Sequence, residues 1–364
     1  MAGVTTETPG DMAFPEYNMD PVTLARFIME DDRERREKYG TTRTSLAFIL
    51  QAIGVASKVI ANAVQNAGMQ GLYGLGGQAN QSGEDQKKLD VLANDVFKNV
   101  LRNTKKVRVM VSEEQDDAIV IEGLDHARYC VVFDPLDGSS NIECNVSVGT
   151  IFGIYHTDNK SLAELGDCLR PGREMVAAGY VLYSSAVVMV LSTGTGVHMF
   201  NLDPTFGEFI ETKRNFHMPA VPKLIYSCNT GNAEKWDDAT KAYMRWIKAQ
   251  PKTYSARYVG SMVSDVHRTI LYGGIFFYPA DKKNAKGKLR LLYECFPMAF
   301  LVEAAGGKAI DGRQRILDLT PTELHERSPI YLGTADEVDR VQEFYKQLDE
   351  GTLPAASTDG PLMV

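Results

Sequence analysis

Val131-Val132-Phe133-Asp134-Pro135-Leu136-Asp137-Gly138-Ser139-Ser140-Asn141 decides how this chain is read. The run from Tyr129 to Phe133 is β-branched and aromatic, the composition of a buried strand. It is expected to break at Asp134-Pro135, because proline restricts its predecessor and cannot donate to a ladder. Three residues on, Asp137 precedes Gly138-Ser139-Ser140, a turn of small side chains whose bare N–H groups can cradle an oxyanion. Two carboxylates and an anion cradle therefore meet at one strand end. Carboxylates repel an anion: two unit charges 4 Å apart cost on the order of 4 kcal/mol at an effective dielectric near 20, and a divalent cation between them reverses the sign. Hard oxygen ligands favour Mg²⁺ or Mn²⁺. A bare D-P-x-D-G also fits a solvated turn, so the rest of the chain has to decide.

Outward from this stretch, several function classes fall away. The chain has 364 residues, 44% of them hydrophobic, enough for a large core and two lobes. Its net charge of −8 argues against nucleic acid and acidic membranes as partners. No apolar run approaches the roughly 20 residues of a membrane span, the N-terminus lacks the basic and apolar parts of a secretory signal, and the C-terminus is not of the S-K-L type. Five scattered cysteines show no CxxC pair and read as reduced thiols, so the cytoplasm is the expected compartment.

In chain order, residues 1–22 read as a loose arm, Thr23–Glu30 as a short helix, and the charged run after it as mobile or laid on the surface. Leu46, Ile49, Leu50, Ile53, Ile60 and Val64 recur with the helical period. The glycine-rich segment 71–83 reads as an irregular loop of lid type, followed by a capping box at Ser82–Asp85 that opens a helix. Glu84 and Asp90 are acids beside that loop. Val107–Val111 reads as a strand running into Ser112-Glu113-Glu114, which brings Glu113 within reach of Asp134 if both strands end on one side of a sheet. Strands continue to about residue 212, an α+β lobe over 23–214. Beyond the Pro-containing stretch 214–222, helix and strand alternate in an α/β lobe over 215–350, with a helix at 233–249 holding both tryptophans, a strand at 289–294 closing on Glu294, and a loose tail at 351–364.

The segments SEEQDDAIV (112–120), FDPLDGSSNI (133–142), VSVGTIFGIY (146–155), ARYVGSMVSDVHRTILYGGIFFYPADKK (256–283) and KGKLRLLYEC (286–295) together resemble the eukaryotic type of fructose-1,6-bisphosphatase. DPLDGSS alone is shared with the wider lithium-sensitive sugar and inositol phosphatase superfamily; the last two segments are narrower. The resemblance runs from about Thr23 to Glu343. It implies a layered α/β/α/β/α sandwich and metal-dependent hydrolysis of the 1-phosphate of fructose 1,6-bisphosphate in gluconeogenesis. It further implies a homotetramer with two to three Mg²⁺ per subunit, replaceable by Mn²⁺ or Zn²⁺.

Residue by residue, it implies metal ligands at Glu84, Glu113, Asp134, Glu294 and the carbonyl of Leu136. Asp90 and Glu114 are implied to orient and deprotonate the attacking water. Asp137, Gly138, Ser139 and Ser140 are the implied cradle of the 1-phosphate, with Arg290 beside it. Asn229, Tyr258 and Tyr278 are implied at the 6-phosphate, Lys288 and Met262 at the sugar, and Arg257 in a neighbouring subunit's site. One tyrosine usual at the 6-phosphate is Asn232 here. Thr44, Arg128 and Tyr129 are the implied contacts of an inhibitory AMP, although the expected nucleotide loop is replaced by Arg43-Thr44-Ser45-Leu46-Ala47. Sedoheptulose 1,7-bisphosphate is the rival substrate, and a catalytically silent sugar-phosphate sensor is the rival class; the latter requires loss of an acid that this chain retains.

Overall fold

The computed structural model describes residues 20–40, 43–79, 85–124, 126–157 and 165–353. The chain opens with α1 (Leu24–Tyr39) and α2 (Thr44–Gln65), then a small antiparallel pair, β1 (Leu75–Ala79) and β2 (Asp85–Lys87), then α3 (Lys88–Asn103). Next come β3 (Val107–Ser112), β4 (Ile119–Val120), β5 (Tyr129–Asp137), β6 (Val148–His156), β7 (Met175–Tyr183), β8 (Val187–Ser192), β9 (His198–Asp203) and β10 (Glu208–Lys213). They form an eight-stranded sheet ordered β10-β9-β8-β7-β6-β5-β3-β4, with β3 and β5 parallel and the remaining pairs antiparallel.

The second half supplies β11 (Ile225–Ser227), α4 (Asp238–Lys248), β12 (Ser255–Ala256), α5 (Met262–Tyr272), β13 (Ile275–Tyr278), β14 (Leu289–Arg290), α6 (Phe296–Ala304), β15 (Lys308–Ile310), β16 (Arg327–Ser328), β17 (Ile330–Gly333) and α7 (Ala335–Asp349). Five of these strands make a sheet ordered β12-β11-β13-β17-β15, while β14 pairs with β16.

Three buried clusters explain the stacking. Ile49, Ile53 and Ile60 of α2 and Ala93 and Phe97 of α3 pack on Val131, Phe133 and Ile154, one face of the large sheet. Its other face, through Val109, Val132 and Ile151, shares a core with Val263 and Val266 of α5, Met298 and Val302 of α6, and Phe276 and Leu332 of the smaller sheet. The far side of that sheet, Ile275, Phe277 and Tyr331, is covered by Tyr243 and Ile247 of α4 and Val338 and Val341 of α7. The result is the α/β/α/β/α order the resemblance implied. Each such buried aliphatic or aromatic side chain stabilises the stack by roughly 1.5–3 kcal/mol. The middle layer approaches closely because Gly149 on β6 has no side chain: a Cβ there would stand 2.8 Å from the Cβ of Val263.

Several local expectations are corrected. The charged run after Glu30 does not leave the helix; α1 continues through it to Tyr39. Its charges are used at helical spacing: Arg35 Nε donates to Asp31 at 3.0 Å, its Nη2 donates to the carbonyl of Thr193, and Asp31 accepts from the hydroxyls of Thr193 and Thr195. Part of the glycine-rich segment is strand, in β1, and α3 opens at Lys88 rather than at the proposed capping box, of which residues 82–84 lie outside the described residues. By length and composition α2 is apolar enough to cross a membrane, contrary to the sequence reading, and half of its apolar window is buried in the protein. Only Trp246 lies on α4, because Asp237 caps that helix by accepting from Thr240 N at 2.7 Å and leaves Trp236 before it. β5 does not end at Asp134, and residues 291–295 are not strand; both departures shape the site.

Candidate active site

β5 runs on through Pro135 to Asp137 by means of a bulge. Asp134 faces Ile151 on β6 and Asp137 faces Gly149, so three steps on one strand match two on the other. Side chains on a strand alternate, and one extra residue reverses the parity, so Asp134 and Asp137 project to the same side. Proline fits here because a bulge needs no ladder N–H, and its carbonyl is satisfied by the Thr150 hydroxyl at 2.8 Å.

The third acid comes from a different irregularity. Leu291–Cys295 forms a single π turn between β14 and α6, and it turns Glu294 inward, where its carboxylate accepts from the backbone N–H of Arg290 at 2.5 Å. One oxygen each of Asp134, Asp137 and Glu294 lie within 4.8 Å of one another, all three side chains being buried or nearly so. Arg290 is drawn toward a fourth acid, its Nη1 lying 3.2 Å from Glu113 Oε1.

Burial and mutual repulsion act on these carboxyls. Asp137 is pushed up to about 7 by burial, against a lowering contribution from the Val263 N–H, and Glu294 to about 8 by burial, moderated by Arg290. Asp134 is also raised well above the usual carboxylate range, first by burial and then by the charge of Glu113. A set of buried acids held this close could hold a metal ion, and a cation there would remove the repulsion that raises them.

Around the acids lies a cavity of about 230 Å³. Asp90 enters it from the first turn of α3, where its Oδ2 accepts from Lys87 N at 2.8 Å and from the Ser139 hydroxyl at 3.2 Å. Its Oδ1 is buried with no hydrogen-bond partner among the described residues, and burial pushes the carboxyl up to about 6. Glu113 and Glu114 stand just past β3; the Glu113 N–H donates to Phe133 O at 3.1 Å, and the Glu114 N–H to the Ser112 hydroxyl at 3.2 Å. Gly138 turns the chain at φ 76°, a conformation that other residues resist, and a short 3₁₀ turn follows from Ser139. Asp137 is tied to the second half of the chain, accepting from Val263 N at 3.2 Å at the start of α5.

The sequence-derived residues divide as follows. Asp90, Glu113, Glu114, Asp134, Leu136, Asp137, Gly138, Ser139, Ser140, Tyr258, Met262, Tyr278, Lys288, Arg290 and Glu294 all line the cavity. Asn229 and Arg257 do not: the Asn229 side-chain Oδ1 accepts from Gly231 N at 3.1 Å, and Arg257 is exposed with its guanidinium on Ala256 O at 2.8 Å. Glu84 lies outside the described residues. Asn232 accepts from Lys235 Nζ at 3.4 Å.

Thr44, Arg128 and Tyr129 stand away from the cavity lining. At the start of α2, Asp32 accepts from Arg43 N at 2.6 Å and from the Thr44 hydroxyl at 3.0 Å; the buried ring of Tyr129 lies 5.0 Å from that of His156. Sequence reasoning placed Asp137 beside Asp134 at the strand end but assigned it to the phosphate cradle rather than to the metal ligands, since the bulge that turns it toward Asp134 and Glu294 leaves no mark in the residue pattern. It also passed over Gly260, Asp265, Phe276 and Leu289 in the cavity wall.

Comparison with known proteins bears on the chain as a whole. Residues 22–214 match the family described as fructose-1-6-bisphosphatase, N-terminal domain, and residues 218–346 match its C-terminal domain. The cytosolic fructose-1,6-bisphosphatase of Arabidopsis thaliana is 50% identical over 340 residues, 93% of this chain and 98% of that protein; that of Brassica napus is 51% identical over 331 residues, 90% and 96% respectively. Among solved structures, the fructose-1,6-bisphosphatase of Leishmania major in its holo form superposes with a TM-score of 0.84 at 42% identity, covering 90% of this chain and 99% of that one.

Proposed function

Since the chain belongs to the fructose-1,6-bisphosphatase family and hydrolyses fructose 1,6-bisphosphate in gluconeogenesis, we propose how its own side chains divide that reaction. The observation that carries the assignment is the convergence of Asp134, Asp137 and Glu294 beside the Gly138–Ser140 turn in one cavity. These three acids, with Glu113, the Leu136 carbonyl and Glu84, hold two to three divalent ions, Mg²⁺ by preference and Mn²⁺ or Zn²⁺ in its place. Bound there, the ions supply charge neutralisation for the phosphoryl oxygens, acidity to a water and a counter-charge for the departing sugar oxygen.

The chain does the rest. The Gly138–Ser140 backbone and hydroxyls hold the 1-phosphate, and Arg290 adds a cationic donor. Asp90 and Glu114 align a water and take its proton; a carboxyl displaced to about 6 is a better base at neutral pH than an ordinary one. Lys288 and Met262 hold the sugar, Tyr258, Tyr278 and Asn229 the 6-phosphate, and Arg257 serves the site of a neighbouring subunit. The products are fructose 6-phosphate and phosphate. Phosphate release on fructose 1,6-bisphosphate and on sedoheptulose 1,7-bisphosphate, each with and without Mg²⁺, tests this assignment. Faster turnover of the seven-carbon sugar, or equal rates without metal, would overturn it.

The enzyme works in the cytoplasm as a homotetramer. Phe48, Val55 and Val59 leave an exposed apolar stripe along α2, the kind of face a subunit contact covers. Light scattering after size exclusion tests the assembly, and a monomer would refute it. AMP inhibits through Thr44, Arg128 and Tyr129. Because Asp32 already occupies the N–H and hydroxyl at the start of α2, AMP binding there requires Asp32 to move. A titration of activity with AMP decides this, and a flat response would remove AMP from the account.

A further inference from the structure

Asp265 is a carboxylate with no exposed surface, one turn into α5, and the reaction as assigned does not use it. A charge in that position must be paired and hydrogen-bonded, and its partners are specific. It accepts from the backbone N–H groups of Val259 at 3.0 Å and Gly260 at 3.0 Å, from the Ser227 hydroxyl at 2.9 Å, and from Arg268 Nη2 at 2.6 Å. The same Arg268 nitrogen donates to the carbonyl of Arg257 at 2.6 Å. The backbone on both sides of Tyr258 is thereby held by one acid and its counter-ion, while Tyr258 itself stays 39% exposed and lines the cavity.

The grip has two further consequences. Gly260, in a φ of +85° that favours glycine, offers its carbonyl to Asn141 Nδ2 at 3.2 Å, so the held segment also touches the turn that follows the phosphate cradle. Ser227 ends β11, two residues before Asn229. Both stretches assigned to the 6-phosphate, one after β11 and one before α5, are thus referenced to a single carboxylate.

We propose that Asp265 is a positioning residue that sets the 6-phosphate end of the cavity, acting through the backbone of residues 257–260 and through Ser227, without touching the substrate. This rests on the reading of Tyr258 and Lys288 as sugar-phosphate contacts. Asp265→Asn retains the volume but loses the charge and part of the acceptor capacity, so residues 257–260 lose their fixed reference while the acids at the opposite end keep theirs.

The test uses the full chain with Mg²⁺. In Asp265→Asn, KM for fructose 1,6-bisphosphate is expected to rise about tenfold with kcat held within about twofold. The inhibition constant of fructose 6-phosphate should rise in parallel, whereas that of inorganic phosphate and the Mg²⁺ half-saturation should not move. A general loss of structure would not separate these constants. Should Asp265→Asn fail to fold, Ser227→Ala removes a single bond to the same carboxylate, and its expected signature is the same split at about threefold. An unchanged KM, or equal shifts in the constants for fructose 6-phosphate and phosphate, overturns the role. Lys288→Ala run alongside separates the two readings: if it raises KM while Asp265→Asn does not, only the positioning role fails, and if neither does, the placement of the substrate fails with it.

Discussion

The two ends of the cavity are built on opposite electrostatic plans. At one end Asp134, Asp137 and Glu294 are packed together by a strand bulge and a π turn, and their burial raises all three carboxyls. At the other end Tyr258 before α5, Tyr278 at the end of β13 and Lys288 before β14 offer hydrogen-bond donors, and the buried charge behind them, Asp265, is matched by Arg268. An end left with uncompensated charge is one where a cation and a developing charge can do work; an end already neutralised can only hold. Chemistry and affinity should therefore separate on mutation.

The hardest blow to that contrast falls on Asp134. Asp134→Asn should lower kcat by about a thousandfold or more, because it removes a charge that senses the transition state. Phosphate release at saturating Mg²⁺ measures it, and a rate near that of the unchanged enzyme would show the acid end to be inert. At the donor end Lys288→Ala should raise KM about tenfold with little change in kcat, since it contacts the sugar rather than the reacting phosphoryl group. Initial-rate kinetics distinguish the two, and a fall in kcat alone would erase the distinction.

A pH series sharpens the comparison without mutation. Asp137 and Glu294, at about 7 and about 8, hold protons in the folded protein that the unfolded chain has already released above its ordinary carboxyl range. Metal-free stability therefore falls as pH rises from about 4 to about 8, the slope ending as each folded value is passed. A bound cation removes that penalty. Addition of Mg²⁺ should accordingly raise the melting temperature by about 2–4 °C more at pH 8 than at pH 6. Calorimetry at both pH values reads this, and a larger gain at pH 6 would reverse the sign.

The smallest expected effect concerns the bulge itself. Thr150→Val deprives the Pro135 carbonyl and the Tyr183 hydroxyl of a buried partner, so unfolding free energy should fall by about 1–2 kcal/mol. Urea denaturation tests it; no change would mean that the bulge is held by something other than this hydroxyl.

How much of this was readable beforehand depended on whether a feature is local. The period of Leu46, Ile49, Leu50 and Ile53 announces α2, and each of these four is buried on it. The charged run after Glu30 misled because isolated charge looks solvated, while Asp31 and Arg35 are bound by a turn some 160 residues away in the sequence. Glu294 read as a strand end because Leu289–Tyr293 has strand composition; the π turn follows from how that segment meets α6 and β5.

From residue order alone came the acids, the bare turn beside them and the alternation of elements that makes a layered sandwich, since composition and periodicity act over a few neighbours. Only the tertiary structure decided that Asp137 would face Asp134 and Glu294, and that Asp265 would stand behind Tyr258. Those facts depend on strand register and on contacts between distant segments, and a one-residue change in register sends a side chain to the opposite face.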